Sequence, residues 1–186
     1  MLDLKNRGAL TAKIRHECGH LIVARLLGFP TGEIRLSPAE AAAGIDLMLS
    51  LKTIGEVIEF IERRVQVLYA GSLAESLDRN RIQNQRAHDL LLSTAAHDFA
   101  KVKELVRMWV GLKHPDVTES EFQDKLTKIK DRLGNQAAEL VQAHAALIVD
   151  LSVFFMGQRD AALPSGIAPR TLELSKEQID GFIDGR

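Results

Sequence analysis

The chain has 186 residues, 46% of them hydrophobic and 26% charged, with a formal net charge of -1. That length suits one domain with a proper core, and the interspersed, balanced charge excludes a basic nucleic-acid footprint or a polybasic membrane patch. The lone Cys18 excludes an intrachain disulfide, the start (Asp3, Lys5, Arg7) lacks a signal-peptide pattern, and no run reaches the ~18 apolar residues of a membrane span, so a cytoplasmic protein without direct membrane insertion is expected.

In chain order, the first predicted element is a helix from Ile14 to Leu27. Ile14, Cys18, Leu21, Ile22 and Leu26 form its apolar stripe, and Gly28-Phe29-Pro30 ends it. Thr31 to Ser50 holds the only strand material. Ile34 and Leu36 alternate with charged residues, and a second strand is expected over Ile45, Leu47 and Leu49, with an alanine-rich loop bracketed by Pro38 and Gly44 between the two. A long amphipathic helix follows from Ile54 to about Leu77, and Asp78-Arg79-Asn80 opens a polar connection. The helical period returns from about Ala87 to Val110, with Val102, Leu105, Val106 and Trp109 as its apolar face. Thr118 to Met156 reads as one long helix, or two joined near Gly134-Asn135. A loop over Ala162 to Arg170 leads to Ser175-Lys176-Glu177-Gln178, a capping box opening a terminal helix. The expected fold is therefore mostly α, with a small two- or three-stranded β element between the first two helices. One domain spans 1–186, with a core over 1–115 and a C-terminal helical part over 116–186.

The run His16-Glu17-Cys18-Gly19-His20 lies inside the first helix and fits the H-E-x-x-H pattern of zinc peptidases. Residues four apart on a helix share a face, so His16 and His20 can offer two imidazole nitrogens to one Zn2+. Zinc acidifies a water towards pKa ~7, and Glu17 is placed to take its proton as general base. Cys18 is expected to pack as a small hydrophobe behind that face. His88, His97, His114 and His144 read as surface or capping residues, with His97 a further candidate to stabilise an oxyanion if a metal ligand stands beside it.

A catalytic zinc needs a third protein ligand. A metzincin would place it as a histidine shortly after His20, where Val23 and Leu26 stand instead. A thermolysin-like enzyme would lead it with Asn-Glu, a dipeptide missing from this chain. A carboxylate from a more distant helix remains, with Glu75, Asp89 and Asp98 as candidates.

Several runs resemble, in order, the peptidase domain of the FtsH family of ATP-dependent, membrane-anchored zinc metalloproteases. Arg15-His16-Glu17-Cys18-Gly19-His20 is similar to the family's metal helix. Gly44-Ile45-Asp46-Leu47-Met48-Leu49 is similar to its glycine-led strand, Leu68-Tyr69-Ala70-Gly71-Ser72-Leu73-Ala74-Glu75 to its Leu-x-Gly-Gly-Arg-x-Ala-Glu helix, and Ser93-Thr94-Ala95-Ala96-His97-Asp98-Phe99 to the run that ends in its third ligand. By position the resemblance implies Asp98 as that ligand. Asp89, in Ala87-His88-Asp89-Leu90, is the alternative under a different gap placement, and Glu75 becomes a partner behind a ligand or a structural carboxylate.

Ser72 and Leu73 replace the family's Arg-small pair, a departure that bears on contacts between domains or subunits. The chain contains no phosphate-binding loop and so no ATPase of its own. The reading that follows is a zincin-like helical zinc endopeptidase acting on peptides or unfolded proteins, with an ATPase in trans and a homo-oligomer as implied partners. The strand along the cleft would pair with an extended substrate. The alternative is a metal-binding but proteolytically silent module that serves as a binding or regulatory partner.

Overall fold

The computed structural model describes residues 7–37, 41–47, 50–161 and 171–185. Among them are seven helices and three strands: α1 (Arg7–Leu26), β1 (Thr31–Leu36), β2 (Ala41–Ile45), α2 (Ile54–Glu75), α3 (Asn84–Leu92), α4 (Ala96–Lys113), α5 (Glu119–Ala143), α6 (Ala145–Ala161), β3 (Leu172–Leu174) and α7 (Lys176–Asp184).

Helix α1 begins earlier than its stripe alone indicates, because Leu10 is also fully buried. From His16 to Ala24 every residue is buried, so this half of α1 is enclosed on all sides rather than amphipathic. It stops in a Schellman arrangement: Gly28 takes φ +80 and donates to the Arg25 carbonyl, while Phe29 donates to the Ala24 carbonyl at 2.9 Å. Helix α2 opens with a capping box between Thr53 and Glu56 and is likewise wholly buried from Val65 to Glu75. The two helices approach very closely at Gly19, where a Cβ would collide with the Ala74 methyl and stand 2.6 Å from the Ala70 carbonyl oxygen. Glycine at this position is what lets the backbones meet.

The strands form one antiparallel sheet in the order β2-β1-β3. Two of them lie between α1 and α2, as expected, but β3 comes from the far end of the chain and was not anticipated. The second strand also differs from expectation. It is the alanine run, paired as Leu36↔Ala41, Arg35↔Ala42 and Ile34↔Ala43, whereas Asp46 and Leu47 lie beyond it. Alanine has little intrinsic preference for strands, but pairing with β1 outweighs that preference, and methyl side chains let the strand lie close against α1. The register slips between Thr31 and Ile34, at the level of Gly44. Pro38, Met48 and Leu49, and the expected loop over 162–170, fall outside the described residues.

The expected helix from Ala87 to Val110 is two helices. Ser93 Oγ donates to the Asp89 carbonyl at 2.7 Å and the Ala95 amide reaches back to Leu90 at 2.8 Å, closing α3 before α4 starts. Thr118 to Met156 is also two helices, but the break falls at His144, with a bend of 66°, and not near Gly134-Asn135. Gly134 stays helical beneath the Tyr69 ring.

Leu126, Ile129, Leu133, Ala137 and Val141 of α5, then Ile148, Leu151 and Phe155 of α6, join the same hydrophobic core as α1, α2 and α4. The C-terminal part therefore completes one core with residues 1–115, and its last helix is tied to α1 by Arg25 donating to Asp180 at 2.6 Å. No single helix among the described residues is long and apolar enough to cross a membrane.

Candidate metal centre

His16 and His20 sit one turn apart on the buried half of α1, facing α2. Each ring is held by its Nδ1. His16 Nδ1 donates to Glu75 Oε2 at 2.9 Å, and His20 Nδ1 donates to the Val67 carbonyl oxygen at 2.7 Å. Both acceptors belong to α2, one on its side chain and one on its backbone. With Nδ1 carrying the proton, each Nε2 presents a lone pair, and the two lone pairs meet with the atoms 3.0 Å apart.

The break between α3 and α4 brings in a third acceptor. It places Asp98 in the first turn of α4, where the helix N-terminus favours negative charge, with Oδ2 at 3.3 Å from His16 Nε2 and 3.2 Å from His20 Nε2. Burial on its own would raise the Asp98 pKa, but its contacts with the two imidazoles hold it well below the usual carboxylate range. Burial pushes the His16 pKa the other way, and the two carboxylates beside it, Asp98 and Glu75, raise it above that of an ordinary histidine by favouring the charged ring. His16 Nε2, His20 Nε2 and Asp98 Oδ2 lie close enough together to hold one metal ion. The spacing is compatible with a tetrahedral ion such as zinc, whose ligand atoms at ~2.0–2.1 Å stand about 3.3 Å apart.

Room for the ion comes from Gly71 on α2. A Cβ at that position would lie 2.5 Å from the Nε2 atoms of both histidines, in the space between them. Gly71 belonged to a run singled out in the sequence, but its role was not visible there, because it depends on which face of α2 meets His16 and His20.

Of the three carboxylate candidates, only Asp98 joins the histidines in a metal-holding group among the described residues. Asp89 points away on α3, 65% exposed, and accepts from Gln85. Glu75 stands behind His16 as its partner. Glu17 is buried and lines the cleft beside the two histidines without belonging to the group, its Oε1 at 3.3 Å from Lys13 Nζ. Cys18 is fully buried in the core, and burial pushes its thiol pKa up, so it offers no thiolate to the metal.

The group opens into a cleft of about 360 Å³. Ala41, Ala42 and Ala43 all line it. Ile45 lines it too, so β2, the outer strand of the sheet among the described residues, runs beside the candidate metal group; of the strand expected over Ile45, Leu47 and Leu49, Ile45 falls in β2 and Leu47 lies beyond it. His97 is exposed at the cleft, whereas His88 and His114 are remote from it: His88 lies beside Asp89 and His114 packs on Trp109. No protein-family model matches the sequence, and no curated protein matches it, so the functional reading rests on this geometry.

Proposed function

We propose that the chain is a zinc-dependent endopeptidase of zincin-like form, acting on extended segments of flexible or unfolded proteins. The observation that carries this reading is the convergence of His16 Nε2, His20 Nε2 and Asp98 Oδ2, with a separate carboxylate, Glu17, on the same cleft. When bound, zinc acts as a Lewis acid that acidifies water and polarises a carbonyl oxygen. Glu17 takes the proton from the attacking water and delivers it to the departing amine. Glu75 and the Val67 carbonyl keep both imidazoles in the tautomer that leaves Nε2 free.

Two histidines and one carboxylate also suit ferrous oxygenases. Glu17 favours hydrolysis, because an oxygenase has no need of a carboxylate base one residue from a ligand. The place of β2 at the edge of the sheet among the described residues supports a peptide as substrate, since an edge strand can add an extended segment beside the cleft and methyl side chains let it come close. A folded protein presents such a strand only in its flexible loops and termini, so cleavage elsewhere in it would need prior unfolding, with an ATP-dependent unfoldase in trans as the fitting partner.

The test is cleavage of an unfolded protein by the zinc-loaded chain, beside Glu17→Gln and a chelated control. Turnover that falls about 10²–10⁴-fold in Glu17→Gln and vanishes on chelation supports the proposal. A zinc-holding chain that cleaves nothing favours the alternative of a silent metal-binding module.

A further inference from the structure

The cleft carries more fixed positive charge than peptide hydrolysis uses. Lys13 from α1, Arg64 from α2 and Lys101 from α4 line it, against Glu17 and Asp98. Lys13 has Glu17 as its partner, whereas Lys101 Nζ stands 3.9 Å from Asp98 Oδ1, beyond hydrogen-bonding reach. Arg64 is the least satisfied of the three. Other arginines are engaged, as Arg15 is with the Leu77 carbonyl, Arg25 with Asp180 and Arg132 with Glu62. Arg64 is half-buried and makes no hydrogen bond or ion pair among the described residues.

A guanidinium offers five donors in a planar fork that fits a carboxylate, and those of Arg64 face the cleft with no protein acceptor among the described residues. The charge that acts on Arg64 most visibly is that of Asp98. Lys101 is drawn towards the same carboxylate.

From this cationic wall and the unpaired Arg64 within it we propose that the cleft selects substrates with a carboxylate near the scissile bond, received by Arg64 with Lys101 in support. The proposal rests on the peptidase reading for the word substrate, but the binding preference itself does not need turnover. The carboxylate can come from an Asp or Glu side chain or from a free chain terminus. Both share the chemistry that Arg64 would recognise.

The test uses the zinc-loaded Glu17→Gln protein, which holds peptides without consuming them, and fluorescent peptides that differ only by Glu or Gln at successive positions. Each is made with a free and with an amidated C-terminus. A Glu peptide is expected to bind about tenfold more tightly than its Gln counterpart at one position, as one charge-assisted hydrogen bond supplies. A preference for free over amidated ends, without a Glu preference, assigns the site to chain termini.

Arg64→Met should bring the ratio close to one and Lys101→Gln should lower it in part. If Arg64→Met does not fold, the ratio in the protein that keeps Arg64 still decides. Equal affinity for all peptides, a preference for basic ones, or no binding of any of them overturns the proposal. Repeating the titrations after chelation separates it from the peptidase reading. A carboxylate preference in a chain that holds no zinc or cleaves nothing leaves this inference standing and removes that reading; cleavage without preference does the reverse.

Discussion

Gly71 faces His16 so closely across the α1–α2 interface that a Cβ there would stand 2.5 Å from His16 Nε2. The same atom would be equally close to His20 Nε2, so the absence of a side chain on one helix makes room for a cation held by the other. Gly71→Ala should therefore lose zinc binding while keeping its helical circular dichroism, since alanine is the better helix former. Unchanged zinc affinity in that variant would mean that the ion sits elsewhere.

Glu75 governs the opposite side of His16. Its carboxylate accepts from Nδ1 at 2.9 Å and so fixes which nitrogen is free. Glu75→Ala is expected to weaken zinc binding about 10–100-fold without removing it, the usual effect of losing a partner that orients a ligand. Abolition of binding would make Glu75 a ligand itself.

Asp98 and Asp89 make a controlled pair. Asp98→Asn removes the charged donor 3.2 Å from His20 Nε2 and should lower zinc affinity and cleavage together. Asp89, 65% exposed and paired with Gln85, should tolerate Asn with both properties intact. A competition titration with a zinc chelator reads the first property and peptide turnover the second.

The pairing of His16 with His20 was legible because it is local: the two need only the helical period, and Glu17 needs only to stand beside them. Which carboxylate joins them was not settled by the residues alone, since Glu75, Asp89 and Asp98 are all carboxylates on helical stretches. What separates them is a helix break at Ser93, made by a hydroxyl bonding back to the Asp89 carbonyl. A stripe of apolar residues cannot report such a break when the stripe resumes beyond it. The same holds at His144, where Val141 and Ile148 stay in the core on both sides of the bend. The β2 strand was misplaced for a different reason: alanines carry no strand signal, and only pairing with β1 makes them one. Strand β3, a three-residue segment from the far end of the chain, likewise depends on a long-range partner.

The C-terminal helix should respond to acid. Lys176 and Arg25 both donate to Asp180 and hold its pKa below the ordinary aspartate range. A depressed folded-state pKa means stability that is present above the unfolded value and is lost as pH falls through the folded one. Protection of α7 amides from hydrogen exchange should therefore decline below about pH 4, where an unperturbed aspartate begins to protonate. Asp180→Asn should lower that protection at neutral pH and flatten its acid dependence. An acid profile identical in both proteins would assign the loosening to other groups.

The most direct test of the account is X-ray absorption at the zinc edge of the loaded chain. The account predicts one bound zinc with two imidazole nitrogens and a carboxylate oxygen at ~2.0–2.2 Å and no sulfur neighbour, and loss of one imidazole in His20→Ala. A sulfur at ~2.3 Å, which only Cys18 or a methionine could supply, or a chain that holds no zinc, would contradict it.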